Sequence, residues 1–359
     1  MKVLQIITSL SVGGAEKLIV DSVPLYQAEG ITMDVLSLNN TKTAFREKLE
    51  KNSNGIVSGL TFKSIYNPFL IFKIIPYLKK YDIIHLHLFP TLYWVVIAKC
   101  ISFSKIKLVY TEHSTNNRRR DMLLFKFVDK IIYKKIHKIV CITTGVKDNL
   151  EKHLNFNKKM LYVINNGIDT KKFNNVDNSN DFNFFKKEDF KLIQVSSFRK
   201  QKDQATVIRS LKLLPDAVKL ILVGDGPLID NNKSLAEELG IQERVVFLGN
   251  RYDIPELLKY SDVVILSSEW EGFGLAIVEG MASSKPVIAS DIDGIKEIVK
   301  GHGLLFEKGN EKELSFLVRK LLEDNAFYQQ NAMQSLIRSN DFSIHKMINQ
   351  YIEIYKLVQ

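Results

Sequence analysis

Short runs of apolar residues recur along nearly the whole chain, and between them lie stretches with an apolar period of three to four residues. The first pattern predicts strands, and the second predicts helices that lay one face on a sheet. In the first half the expected strands are residues 2–8, 32–38, 82–87, 106–111, 138–142 and 160–164. In the second half they are residues 191–195, 219–223, 244–248, 263–266, 286–289 and 304–306. A helix is expected over residues 15–28, closed by Gly30 as the left-handed residue past its end. Strands and helices that alternate this regularly imply βαβ units and parallel sheets. A last helical stretch, residues 343–358, has no strand after it.

The pattern breaks at residues 174–189, NNVDNSNDFNFFKKED. Asn and Asp side chains there bond their own backbone and favour turns over regular structure. The expected organisation is therefore an α/β domain over residues 1–173, a linker over 174–189, and a second α/β domain over 190–340. A terminal helix, 341–359, is long enough to cross back to the first domain. A chain of 359 residues suits two such domains, and 45% apolar with 25% charged residues is ordinary for packed protein.

Composition narrows the class. No apolar run reaches the roughly 18 residues that a membrane-spanning helix needs, and the N-terminal MKVLQIITSL reads as a strand rather than a secretion signal. Cys100 and Cys141 stand apart, forming neither a disulfide framework nor a zinc set. A reducing cytoplasm is the expected compartment. The formal net charge of +10 draws polyanions, whether nucleic acid, anionic lipid or phosphorylated substrate. No zinc-finger spacing, RNA-recognition signature or basic heptad array supports a nucleic-acid partner.

The densest candidate chemistry is SSEWEGFGLAIVE, residues 267–279, which follows an expected strand and runs into an expected helix. Gly272 and Gly274 allow a ligand to approach the backbone closely, and the helix N-terminus offers unpaired N–H groups to a diphosphate. Glu271 lies on the loop and Glu279 about one turn inside the helix. One carboxylate is suited to accept bonds from ribose hydroxyls. The other is suited to sugar hydroxyls or to positive charge developing at an anomeric carbon. Spacing alone equally fits a plain strand–loop–helix turn with two solvated glutamates.

Residues 261–299, SDVVILSSEWEGFGLAIVEGMASSKPVIASDIDGIKEIV, resemble the donor-site signature of the retaining family 4 glycosyltransferases, two glutamates separated by seven residues. The likeness continues in SVGGAEKLI (11–19), TEH (111–113), NNGID (165–169) and LVGDGPL (222–228). The resemblance implies the α/β GT-B fold, two Rossmann-like βαβ domains facing across a cleft. The acceptor would lie mainly on the first and the nucleotide-sugar donor mainly on the second. It implies that Glu279 binds the ribose and that Glu271 faces the donor sugar. Backbone amides at Gly272, Phe273, Gly274, Leu275 and Ala276 would contact sugar and phosphate. Gly13 and Gly14 are expected to meet the diphosphate or sugar, and Arg251 to meet the base through its backbone. Arg199 and Lys202 would neutralise the leaving diphosphate; in the family the lysine usually follows by five or six residues and here by three, so Lys200 competes. His113 is expected beside the donor sugar and acceptor, whereas His85 and His87 fit a core better.

Asp291-Ile292-Asp293 matches the metal-binding DxD pattern only formally, so no metal and no other cofactor is expected. The implied activity is retaining, metal-independent hexosyl transfer, with a UDP-sugar favoured as donor. The expected acceptor is a saccharide or lipid-linked saccharide in lipopolysaccharide, capsule or glycolipid assembly. Residues 68–80 and 118–135 mix apolar and cationic side chains at helical spacing, which adds a peripheral contact with the inner, anionic face of the plasma membrane. Two other classes stay open: a nucleotide-sugar 2-epimerase of the same fold, and a non-catalytic nucleotide-sugar-binding protein.

Overall fold

A computed structural model describes residues 1–115, 122–154, 160–176 and 182–359. They form two compact units, Met1–Gly167 together with Ile344–Gln359, and Ile168–Ser343. The first contains β1 (Lys2–Ile7), α1 (Gly14–Ala28), β2 (Thr32–Asn39), α2 (Ala44–Asn52), β3 (Val57–Thr61), α3 (Leu70–Ile74), β4 (Ile83–His87), α4 (Thr91–Ile101), β5 (Lys107–Glu112), α5 (Leu123–Tyr133), β6 (Lys138–Cys141), α6 (Thr144–Leu154) and β7 (Leu161–Val163). The second contains α7 (Thr170–Asn174), β8 (Phe190–Val195), α8 (Gln204–Lys212), β9 (Val218–Val223), α9 (Ile229–Glu238), β10 (Val245–Phe247), α10 (Ile254–Tyr260), β11 (Val263–Leu266), α11 (Leu275–Ala282), β12 (Val287–Ser290), α12 (Lys296–Val299), β13 (Leu304–Phe306), α13 (Glu311–Glu323) and α14 (Asn325–Ser339). The last helix, α15 (Ile344–Val358), returns to the first unit.

Each unit is an open parallel sheet, seven strands in the order β3-β2-β1-β4-β5-β6-β7 and six in the order β10-β9-β8-β11-β12-β13. Crossovers carry the chain outward from β1 to β3, then back across β1 to β4, and the second sheet repeats this around β8. The loops after β1 and β4 therefore diverge, as do those after β8 and β11, leaving a crevice at each reversal. Central strands such as Val263–Leu266 are buried throughout because helices cover both faces.

The first core packs α1 and α15 onto β1 and β2, with Ile344, Met347, Tyr351 and Tyr355 all buried in it. Tyr355 ties the helix to the sheet: its hydroxyl accepts from Gln5 Nε2 at 3.2 Å and meets His85 Nδ1 at 2.7 Å. Thr111 on β5 pairs with the Tyr351 hydroxyl at 3.0 Å.

Two features depart from the expectations. β3, an edge strand with all five residues half-buried, is absent from the expected strands because Gly59 interrupts an already weak alternation. A Cβ at Gly59 would lie 2.6 Å from Asn40 Cα, so close approach of the backbone there requires glycine. The units divide after Gly167, not across residues 174–189, because α7 buries Phe173 and packs on α11 of the second unit. Part of the Asn- and Asp-rich stretch, residues 177–181, lies outside the described residues. No helix among the described residues is long and apolar enough to cross a membrane.

Tyr355→Phe removes the hydroxyl shared by Gln5 and His85 while keeping the ring. Leaving those buried groups short of a partner should cost about 1–3 kcal/mol. A urea titration would show a lower midpoint at unchanged slope; an unmoved midpoint would mean that the bonds do not hold α15 in place.

Candidate functional site

In the second unit the crevice lies between the loops that follow β8 and β11. Ser267, the first residue past β11, sits with its hydroxyl 3.0 Å from the Lys202 carbonyl and 2.8 Å from that of Asp203. Gln194 on β8 donates to the Lys202 carbonyl at 2.9 Å, and the Glu269 amide donates to the Gln201 carbonyl at 2.8 Å. These bonds clamp the two loops together, and the Lys202 ammonium meets the Glu271 carboxylate in an ion pair. Asp203 is held at φ 40°, ψ 50°, a left-handed conformation costly for a residue with a Cβ; it caps α8 by accepting from the Thr206 backbone N–H at 3.4 Å and also accepts from the Thr206 hydroxyl at 2.6 Å.

Gly274 starts α11 from a left-handed φ of 78°, which turns the chain sharply so that the amides of the first helical turn lie just past the β11 end. Phe273 is buried edge-to-face on Phe342, with ring centroids 5.4 Å apart, so its side chain anchors the loop. Glu279 sits about one turn into α11 and is 4% exposed. Gly280 brings the helix hard against β11, where a Cβ would meet Val264 at 2.7 Å.

Further glycines brace this arrangement. Gly294, at φ 86°, lies so close that a Cβ would sit 2.4 Å from the Glu271 carbonyl and 2.8 Å from that of Gly272. The neighbouring Asp291 pairs with Lys296 at 3.0 Å, so one carboxylate of the formal DxD pattern is engaged locally. Gly224 and Gly226 press on the β8 loop, where a Cβ would come within 2.1 Å of the Ser196 carbonyl and 2.5 Å of the Phe198 carbonyl. Sequence reasoning passed over Gln194, Ser267, Gly280 and Gly294. The signal available was small and amide residues at strand ends, which spacing alone does not distinguish from ordinary turns.

The candidate cations are placed differently from one another. Lys202 pairs with Glu271, while Lys200 and Arg199 are exposed. Arg251 turns its guanidinium onto Asp253 before α10, with Nε 2.8 Å from Oδ1.

Gly13, Gly14 and His113 lie in the first unit. Gly13 precedes α1 with φ −174°, an extended backbone that any residue adopts, so glycine there serves space rather than turn geometry. A Cβ would approach the Glu16 carboxylate to 2.3 Å. His113, just past β5, meets His87 Nδ1 through Nε2 at 3.0 Å, and His87 Nε2 meets Gln5 Oε1 at 2.5 Å. With the Gln5 nitrogen on Tyr355, its oxygen accepts from His87 Nε2–H. His87 Nδ1 then accepts from His113 Nε2–H, which leaves His113 Nδ1 as that ring's remaining lone pair. His85 is a bonded core histidine, between Tyr355 and Thr111 at 2.7 Å each. Burial holds His113 down at about 4 and His85 at about 3, and it places His87 well below its usual range, all three neutral at pH 7.

Two sequence profiles cover nearly the whole chain, Glycosyltransferase Family 4 over residues 12–172 and Glycosyl transferases group 1 over residues 175–338. The chain belongs to these glycosyltransferases. Among relatives, it is 29% identical over 297 residues to the Escherichia coli UDP-Gal:alpha-D-GlcNAc-diphosphoundecaprenol alpha-1,3-galactosyltransferase, covering 77% of this chain and 76% of that one. It is 26% identical over 234 residues to a Campylobacter jejuni diphospho-undecaprenol 4-alpha-N-acetylgalactosaminyltransferase, covering 64% and 61%. In fold it matches Anabaena HepE, crystallised with UDP and glucose, at a TM-score of 0.87 and 24% identity over 99% of both chains. The glycosyltransferase thus has the two-domain α/β GT-B fold.

Among the described residues of this glycosyltransferase, no group of three or more His, Cys, Asp or Glu side chains stands where it would hold a metal ion. Arg118, Arg119 and Arg120, part of the cationic stretch noted in the sequence, lie outside the described residues.

Two tests follow from this geometry. Gly294→Ala forces a left-handed alanine against the Glu271 and Gly272 carbonyls, costing at least about 1–2 kcal/mol for the backbone alone; differential scanning calorimetry should show a lowered melting temperature, and an unchanged one would disprove the tight packing. The histidines set a pH dependence. Unfolded, they take protons near 6.5; folded, His113 and His85 wait until about 4 and 3. The unfolded chain therefore binds more protons as pH falls below about 6.5, and their contribution to stability is full above that pH and lost toward 4 and 3. Melting temperature measured from pH 7 to pH 4 should fall, and less steeply in His113→Asn.

Proposed function

We propose that this glycosyltransferase transfers a hexose with retention of configuration from a nucleotide sugar, a UDP-sugar for preference, to a saccharide or lipid-linked saccharide in cell-surface polysaccharide or glycolipid assembly. The observation that supports the reading is the clamped crevice of the second unit, with its Lys202–Glu271 pair, the N-terminus of α11 beside it, and the buried Glu279 one turn further along that helix. The names of the Escherichia coli and Campylobacter jejuni relatives, both acting on diphosphoundecaprenol-linked sugars, favour a lipid-linked acceptor. The HepE complex with UDP-glucose favours a uridine donor.

In the proposed reaction the diphosphate lies at the N-terminus of α11, against the amides of Gly274, Leu275 and Ala276, where the helix dipole favours negative charge. Glu279 accepts bonds from the ribose hydroxyls. Glu271, oriented by Lys202, faces the donor sugar. As the anomeric bond breaks, Arg199 and Lys202 offset the charge growing on the departing diphosphate. A phosphate oxygen of that leaving group takes the acceptor hydroxyl's proton as the new bond forms on the same face. The scheme calls on no metal, since cationic side chains and helix amides supply the positive charge. His113 Nδ1 serves as an acceptor for a sugar hydroxyl.

Isothermal titration of UDP-, GDP- and ADP-sugars identifies the donor. Glu279→Ala should then weaken donor binding by about 1.5–3 kcal/mol, the worth of bonds to a charged group. Unchanged affinity removes Glu279 from the ribose. Lys202→Met should lower kcat more than it raises KM, because the charge it offsets develops in the transition state. Anomeric analysis of the product by NMR decides retention, and epimerised donor appearing without acceptor would replace transfer by 2-epimerisation.

A further inference from the structure

Residues 56–135 hold fourteen Lys and Arg against four Asp and Glu, an excess of ten that equals the formal charge of the entire chain. The remainder of the protein is balanced. Two of the four acids, Glu112 and Asp129, are buried, and Asp129 is bonded to Tyr93 and to His153 at 2.8 Å. The same segment carries eleven of the eighteen large apolar side chains that stand exposed among the described residues. Charge and exposed apolar surface are therefore concentrated in one fifth of the chain, which includes the helices α3, α4 and α5 and, outside the described residues, Arg118, Arg119 and Arg120.

These three helices are neighbours on one face of the first sheet, α4 touching both α3 and α5. Asp129, Ile132 and Tyr133 turn the inner side of α5 into the core. Its outer side carries a second apolar stripe, Leu124, Phe127 and Ile131, with Leu124 68% and Phe127 66% exposed. On α4 the positions Trp94, Ile97 and Ile101 repeat the same i, i+3, i+7 spacing and are half-buried or exposed. A helix that covers a sheet needs one apolar face, so a second one facing water requires another explanation. Lys126 and Lys134 flank the α5 stripe and are exposed, as is Lys73 on α3 between the exposed rings of Phe69 and Phe72 and, further along the chain, the exposed Lys79 and Lys80.

We propose that the outer face of α3, α4 and α5 is a docking surface for an anionic lipid bilayer, the stripes entering the headgroup boundary and the lysines pairing with lipid phosphates. Aliphatic side chains at Ile101, Leu124 and Ile131 gain by leaving water for acyl chains and gain nothing from stacking on nucleic-acid bases, which selects the bilayer over the other polyanion. The surface is independent of the proposed acceptor, because it stands on exposure and charge in the first unit and on none of the residues assigned to the donor.

The test is co-sedimentation of the full chain with phosphatidylglycerol–phosphatidylcholine vesicles and with phosphatidylcholine alone. The protein should pellet with the anionic vesicles, remain in solution with the neutral ones, and be released as salt rises past about 0.3 M, where the Debye length has fallen to several Å. Reversal of Lys126, Lys130 and Lys134 to Glu should reduce partition at least about tenfold, as each lysine near the surface contributes independently. Leu124→Ser with Phe127→Ser and Ile131→Ser should reduce it to a similar degree, with the melting temperature of the parent retained. Phe69→Ser with Phe72→Ser, on a separate helix, makes the same test should the α5 variants melt early. Equal pelleting of parent and variants overturns the proposal, and so does a parent that stays with the supernatant. Preferential binding to a single-stranded oligonucleotide, or a parent dimer that the serine variants disperse without any vesicle binding, assigns the surface to another occupant and also overturns it.

Discussion

Parallel strands joined by right-handed crossovers cannot all be laid down in one direction without exposing one face of the sheet. Each unit of this glycosyltransferase reverses direction once, between β1 and β4 in the first and between β8 and β11 in the second. Everything assigned to the donor follows from the second reversal. The loops after β8 and β11 leave neighbouring strands toward opposite sides, and the space between their roots is bridged by hydrogen bonds to backbone carbonyls rather than by apolar packing. Ser267, Gln194 and the Glu269 amide form that bridge. The Lys202–Glu271 pair stands on top of it.

That pair shows how charge is placed at little cost. Both side chains are largely buried, at 14% and 18% exposure, and each offsets the other's cost of leaving water, so the pair adds little net stability. Its consequence is positional: it holds an ammonium and a carboxylate at a fixed spot beside the amides of α11. Glu279 is placed by different means, buried on a helix that Gly280 draws hard against β11. The first unit carries its own polar core, in which Gln5, His85, His87, Thr111, Tyr351 and Tyr355 satisfy one another. That network fastens α15 to the sheet and gives His113 a fixed tautomer.

The outer helices of the first unit obey another balance. Covering the sheet consumes one apolar face of α5, through Ile132, Tyr133 and the hydrogen-bonded Asp129. The exposed stripe of Leu124, Phe127 and Ile131 is extra to that need, and it coincides with the segment that holds the chain's whole excess of positive charge. Folding alone explains the inner face and leaves the outer one to association.

By itself the sequence determined the alternation of strands and helices, the parallel sheets, and the strand–loop–helix unit that holds Glu271 and Glu279. These follow from local periodicity and turn chemistry, which a linear reading sees directly. It did not show the edge strand β3, whose Gly59 breaks the alternation and whose pairing comes wholly from β2. Only tertiary structure decided that Lys202 rather than Lys200 meets Glu271, since that depends on how a short turn is clamped from the adjacent strand. Gly294 was likewise invisible, because its constraint comes from carbonyls more than twenty residues earlier in the chain. The division after Gly167 rests on contacts between remote segments, which no local pattern records. Likewise, residues 68–80 and 118–135 announced a mixture of apolar and cationic positions, and only burial told which apolar ones face the core and which face water.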